Sequence, residues 1–133
     1  MNDTTFNNKT LLLLIDLQNA IDHPSWGRRN NLDAEKNIIV LLNLWREKHW
    51  PICHIRHDST DPNSHYRPGQ HGNEFKAEFT PLPREKVIAK KTNSAFIGTE
   101  LEAYLRTNSY RQLVIVGVIT NNSVEAKIGR AHV

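Results

Sequence analysis

The sequence predicts a doubly wound parallel α/β sheet in three layers, and three observations carry that prediction. Leu11-Leu12-Leu13-Leu14-Ile15 is an unbroken apolar run closed by Asp16, and continuous hydrophobicity suits a strand buried on both faces. Three further short runs of strand character follow: Pro51–Arg56, Val87-Ile88-Ala89 and Leu113–Gly117. Segments with helical spacing separate several of these runs, the alternation of βαβ units.

Taken in order, Met1–Lys9 is polar and reads as a flexible N-terminal arm. The first strand is Leu11–Ile15. Asp22–Leu32 holds Pro24, Gly27 and an Asn pair, which is loop chemistry. Asp33 can cap a helix running to about Lys48, with Ile38, Ile39, Leu41, Leu42 and Trp45 at helical spacing. Pro51 opens the second strand at a position where its missing N–H costs no ladder bond. Asp58–Pro83 is irregular and contains four of the six prolines. A connection longer than ~12–15 residues is uncommon unless it is functional or disordered, and a functional role is expected here. Gly98–Thr107 reads as a helix capped by Thr99, with Leu101 and Leu105 inward. Thr120 onward reads as a turn into a second short helix.

With 133 residues, the chain is of one-domain size. Seventeen Lys and Arg against fourteen Asp and Glu leave +3, mixed along the chain, which argues against a nucleic-acid-binding stripe. The longest apolar run is far too short to span a bilayer. One cysteine excludes a disulfide framework and any multi-cysteine metal site. A reducing cytoplasm is the expected compartment.

In open α/β sheets, ligands bind beyond the carboxyl ends of the strands. Those ends deliver Asp16, then Arg56-His57-Asp58, then Lys90, then the Ile119–Ser123 turn. Asp16 beside Lys90 would make a carboxylate–ammonium pair in a partly dry cleft, suited to proton transfer; solvated strand-end charge is the alternative. Arg56, His57 and Arg67 suit an anionic small-molecule substrate because guanidinium forks match carboxylates, with plain surface charge as the alternative. Cys53 lies mid-strand and reads as a small buried hydrophobe rather than a nucleophile. His54-x-x-His57-Asp58 does not supply three well-spaced metal ligands, so no metal is expected. No phosphate-binding glycine loop is present, and no cofactor is expected.

Three blocks closely resemble the signature blocks of the isochorismatase-like cysteine hydrolases. They are Leu14-Ile15-Asp16-Leu17-Gln18, then Lys90-Lys91-Thr92-Asn93-Ser94-Ala95-Phe96-Ile97-Gly98-Thr99-Glu100-Leu101, then Val116-Gly117-Val118-Ile119-Thr120-Asn121-Asn122-Ser123-Val124-Glu125. Trp26–Asn30 and Arg67-Pro68-Gly69 resemble loops of one subgroup. The resemblance implies a Rossmann-like hydrolase fold over residues 10–127 and a catalytic set of three. Asp16 matches the general acid–base, Lys90 its catalytic lysine, and Ser123 stands where the family has its nucleophilic cysteine. It also implies a non-proline cis peptide at Val118–Ile119 and oxyanion donors in the Ile119 and Ser123 N–H groups. Phe96 falls in the specific Ser-Ala-Phe block and is carried over as substrate-binding with Arg56, His57 and Arg67.

A serine hydroxyl is far less acidic than a thiol, so three readings stay open. Ser123 attacks an amide or ester; or Asp16 protonates a vinyl ether and water completes the reaction; or the site binds without turnover, as an inactive small-molecule-binding or interaction relative. The family domain would continue past residue 127 with a helix and further strands. Ile128–Val133 instead reads as the translation of a common sequencing adapter, so 128–133 is expected to be a non-native tail on a fragment lacking its C-terminal strands. The intact parent is expected to form homo-oligomers, as family members commonly do.

Overall fold

The computed structural model describes residues 6–22, 32–91, 99–118 and 124–130. Five strands form one sheet: β1 (Thr10–Ile15), β2 (Ile52–His57), β3 (Lys86–Lys90), β4 (Gln112–Val118) and β5 (Val124–Arg130). Two helices, α1 (Leu32–Lys48) and α2 (Leu101–Thr107), complete the layers. The sheet order is β3-β2-β1-β4-β5, and the first four strands are parallel. The predicted class and all four predicted strands are therefore present, each within a residue or so of its expected limits.

The central leucine run explains why the sheet is covered twice. Alternate residues of a strand point to opposite faces. Leu12 and Leu14 join a cluster with Ile38, Leu42 and Trp45 of α1, while Leu11 and Leu13 join Leu101 and Leu105 of α2 with Cys53, Ile55 and Ile88. Trp45 is fully buried and donates its indole N–H to the Thr10 carbonyl at 3.0 Å, so its polar edge is satisfied.

Two elements differ from expectation at the helix ends. Helix α1 starts at Leu32, so Asp33 lies in its first turn rather than at the cap. Helix α2 starts at Leu101, and the Thr99 hydroxyl oxygen accepts the Leu101 N–H at 3.3 Å.

A larger correction concerns the chain after Ser123. Where a helix was expected, Val124–Arg130 forms an antiparallel strand paired along the whole of β4, from Val118↔Val124 to Gln112↔Arg130. The physical reason is the pattern Val-Glu-Ala-Lys-Ile, which alternates apolar and polar residues with the strand period of two. It also pairs a β4 edge that would otherwise present open N–H and C=O groups. Ile128–Arg130, assigned to a tail by the sequence reading, lie in this strand.

The long connection is ordered onto the sheet. Short 3-10 turns cover Asn19–Asp22, His71–Asn73 and Ala77–Phe79. A bridge pairs Gln18 with Phe75, flanked by Asn19 N–H to Glu74 O at 2.8 Å and Lys76 N–H to Leu17 O at 3.1 Å. Glu74–Lys76, directly after the His71–Asn73 turn, thus pair like a short strand with the exit from β1.

Candidate active site

Connections from β1 lead to β2 on one side, and β4 lies on the other, so the strand order reverses between β1 and β4. That reversal opens a crevice at the carboxyl ends of the strands, and Asp16 is the first residue beyond β1. Lys90 ends β3, two strands away, and neighbouring strands are ~4.8 Å apart. A long side chain is needed to cross the end of β2. The Lys90 ammonium does so, reaching Asp16 Oδ2 at 3.0 Å, and both side chains are largely buried. His57 sits between them, opposite Lys90 in the β2–β3 register.

Burial pushes the Asp16 carboxyl above its ordinary range, against the opposing pull of the Lys90 charge and hydrogen bond and of His57. Its other oxygen, Oδ1, is buried and has no hydrogen-bond partner among the described residues. Asp16 also adopts a left-handed backbone, φ 58°, at a cost of ~1–2 kcal/mol. A carboxyl held in strain, half neutralised by an ammonium and with one oxygen open is arranged for proton transfer rather than for stability.

Beneath Asp16, β4 approaches unusually closely. Gly117 pairs with Ile15, has φ 125°, and a Cβ placed there would meet Ile15 O at 2.1 Å. Only glycine allows this approach. A glycine inside an apolar strand is itself a sequence signal for such contact, one the sequence reading did not take up.

The other expected site residues divide. Arg56 forms a two-pronged pair with Asp58, Nε to Oδ1 at 2.9 Å and an Nη to Oδ2 at 3.0 Å. Burial works to raise the Asp58 carboxyl, but hydrogen bonds from Arg56 and Asn73 and the charges of Arg56 and His57 bring it below its ordinary range. Arg67 is exposed and donates to the Pro62 carbonyl. The His57 ring stands edge-on to Tyr66. Val118 ends β4, whereas Phe96, Ile119 and Ser123, and with Ile119 the expected cis peptide, lie outside the described residues, as does Trp26–Asn30.

Two polar residues near Asp16 carry structure that sequence reasoning missed. Gln18 is fully buried, and its carboxamide meets His57 and Asn73. Asn73 in turn donates to His57 O, Asp58 Oδ1 and Tyr66 O. The sequence signal for Gln18 is its place in the Leu14–Gln18 block, two residues after the strand-end aspartate; nothing singles out Asn73.

Cys53 lies mid-strand with no exposure, and burial raises its thiol to about 12. It is structural, as expected. Labelling by a disulfide reagent at neutral pH is therefore expected only as denaturant unfolds the chain. Stoichiometric labelling of the native protein within minutes would contradict this. Among the described residues, no His, Cys, Asp and Glu group could hold a metal ion, and no helix is long and apolar enough to cross a membrane. A cavity of about 180 Å³ lined by Trp50, Arg84, Tyr104 and Tyr110 lies at the opposite, amino ends of the strands, away from this chemistry.

Fold and site together define a three-layer α/β protein with a buried acid–lysine pair at its topological switch point. The chain belongs to the isochorismatase family: the isochorismatase domain matches residues 10–133. It is 42% identical over 116 residues to the uncharacterized isochorismatase family protein YrdC of Bacillus subtilis, covering 87% of this chain and 62% of that one. A crystal structure of an isochorismatase-family protein from Chromobacterium violaceum superposes with a TM-score of 0.79 at 59% identity, covering 84% of this chain and 58% of the other. N-carbamoylsarcosine amidase from Thermoplasma acidophilum gives a TM-score of 0.68 at 25% identity, covering 81% and 66%. Over 51 residues the chain is also 41% identical to the ureidoacrylate amidohydrolase RutB of Cronobacter sakazakii, covering 38% of this chain and 22% of that protein. The chain thus spans about three-fifths of the length of YrdC and of the Chromobacterium protein.

Proposed function

We propose that this protein hydrolyses a small metabolite at an amide or ester bond, or at a vinyl ether, with Asp16 as the proton-transfer group. The observation that carries the proposal is the buried 3.0 Å Asp16–Lys90 pair at the switch point, with Asp16 strained and its second oxygen open. The names of two relatives, an amidohydrolase and an amidase, favour the C–N bond. In that chemistry ionised Asp16 takes the proton from the Ser123 hydroxyl as its oxygen attacks the carbonyl. Backbone N–H groups of Ile119 and Ser123 hold the oxyanion, aimed by the Val118–Ile119 peptide. Asp16 then returns the proton to the leaving nitrogen, and water releases the acyl group from Ser123. Lys90 orients the carboxyl and favours its charged form before it takes the proton and after it has returned it. On a vinyl ether, protonated Asp16 instead delivers its proton to the substrate and water adds to the resulting cation.

Arg67, His57 and Phe96 are proposed to contact the substrate. The fork of Arg56 is already engaged by Asp58, so its contribution would come through that pair. No cofactor, nucleic acid or membrane enters the proposed reaction; the setting proposed is cytoplasmic, and the assembly proposed is a homo-oligomer.

The test is hydrolysis of a panel of small amides, carbamoyl compounds, esters and vinyl ethers by the parent, Asp16→Asn and Ser123→Cys. Loss of the acid–base group is expected to lower kcat/KM by about 10²–10⁴-fold. Ser123→Cys is expected to raise the rate on amides and esters and leave vinyl-ether hydrolysis unchanged. Parental turnover that survives Asp16→Asn would overturn the assignment.

A further inference from the structure

We propose that Gln18 is the positioning residue of this site: its buried carboxamide ties the end of β2 to the 71–76 segment and thereby holds Asp16 in the backbone that presents its carboxylate to Lys90. The inference rests on the hydrolase reading only for its effect on turnover; its effect on Asp16 stands independently.

Gln18 is fully buried, and its side chain is matched on both sides. Oε1 accepts the His57 N–H at 2.8 Å, while Nε2 donates to His57 O at 3.0 Å and Asn73 O at 2.7 Å. With His57 the side chain exchanges a reciprocal pair of bonds, as a neighbouring strand would. Its main chain pairs with Phe75, and its N–H donates to Asp16 O at 2.8 Å. On the other side, the Asp16 N–H donates to Ile55 O at 3.0 Å. Both backbone groups of Asp16 are thus engaged, one by β2 and one by Gln18. Leu17 alone separates the two residues, and its carbonyl is held by the Lys76 N–H. A left-handed aspartate persists only where its surroundings over-determine it, and the Gln18 side chain fixes those surroundings together with the main-chain bonds to Ile55 and Lys76. Without the amide, Asp16 relaxes to an ordinary backbone and its carboxylate swings away from Lys90 and His57, the charged groups that face it.

The test follows the Asp16 carboxyl by carbon NMR in the full chain, assigned with Asp16→Asn, in the parent, Gln18→Ala and Gln18→Met. In folded variants its titration is expected to move by about one pH unit toward the ordinary carboxylate value as burial is relieved. The rate constant kcat is expected to fall about a hundredfold with a much smaller change in KM, as for a misplaced reacting group. A purely structural role would lower the unfolding midpoint and leave the Asp16 titration in place, and that result would overturn the proposal. Should Gln18→Ala not fold, Gln18→Met decides: it keeps the volume of the side chain, removes all three of its hydrogen bonds and adds no charge beside Asp16. An unmoved Asp16 in folded Gln18→Met overturns the proposal equally. A parent inactive on every substrate would sink the hydrolase reading, and the NMR titration would still decide the role of Gln18.

Discussion

Gly117→Ala is expected to destabilise the chain by about 3–5 kcal/mol, the range reserved for a handful of severe mechanisms. Two of them act at once. The φ of 125° is a conformation that side-chain-bearing residues rarely adopt, and the new Cβ would lie 2.1 Å from Ile15 O, 2.8 Å from Ile15 N and 2.9 Å from Ile15 C. All three neighbours are backbone of a central strand, so no flexible side chain can yield. β1 is paired with β4 along its whole length and with β2 from Leu12 to Ile15, and separating it from β4 breaks the ladder that carries the core. Gly69→Ala is the matched control: φ there is 90°, but nothing lies within 4 Å of the new Cβ. Backbone strain alone should cost about 1 kcal/mol. The difference between the two denaturation midpoints isolates the collision. Equal, small effects would show that β1 and β4 can move apart freely, contrary to the packing described. Because Asp16 directly follows Ile15, any Gly117→Ala protein that folds is also expected to lose activity disproportionately.

The architecture was legible wherever one local pattern determined it. The leucine run reads as a doubly covered strand because its length and flanks outweigh the helical propensity of leucine, and α1 announces itself by apolar spacing from Ile38 to Trp45. Asp16 and Lys90 were legible as charges at strand ends, because the rule for open sheets says where strand ends converge. What escaped was anything whose partner is distant in sequence. Gln18 meets His57 and Asn73, 39 and 55 residues away; no local property of a glutamine foretells that pairing. The sequence presents Arg56 as a fork for an anion or as plain surface charge, yet its partner Asp58 stands only two residues on. There the expectation of a ligand outweighed a nearer carboxylate. β5 was missed for another reason: an edge strand carries only an alternating signal, weak over seven residues, and it was read against an expected helix.

Glu85→Ala is expected to cost about 3 kcal/mol, since removing one partner of a buried charge network strands the others. Glu85 lies just before β3 and its carboxylate accepts four bonds: two from Arg46 of α1 at 2.7 and 2.9 Å, one from His54 of β2 at 2.7 Å and the Leu82 N–H at 3.0 Å. The network therefore fastens α1 and β2 to the turn at residues 82–85, directly before β3. Arg46 is partly exposed and can turn to water, whereas the His54 side chain is 1% exposed and cannot. The orphaned imidazole and the Leu82 N–H account for most of the loss. Glu85→Gln, which keeps an acceptor, should lose roughly half as much.

The pH dependence provides a second signature. Burial opposes ionisation of Glu85, but the hydrogen bonds from Arg46, Leu82 and His54 outweigh it and hold the carboxyl at about 2, against 4.5 ordinarily. Its contribution is complete above 4.5 and disappears as pH falls toward 2. Burial lowers His54, with Arg46 adding to that and the Glu85 bond and charge opposing it. The unfolded chain takes up this proton first, so stability already declines as pH drops below 6.5. Unfolding free energy from urea melts should thus fall below pH 6.5 and fall again below 4.5 in the parent. In Glu85→Gln the lower limb should flatten while a decline below 6.5 remains, because His54 is still buried. An unchanged lower limb would show that other carboxylates, Asp58 foremost among those held below their ordinary range, govern the acid response instead.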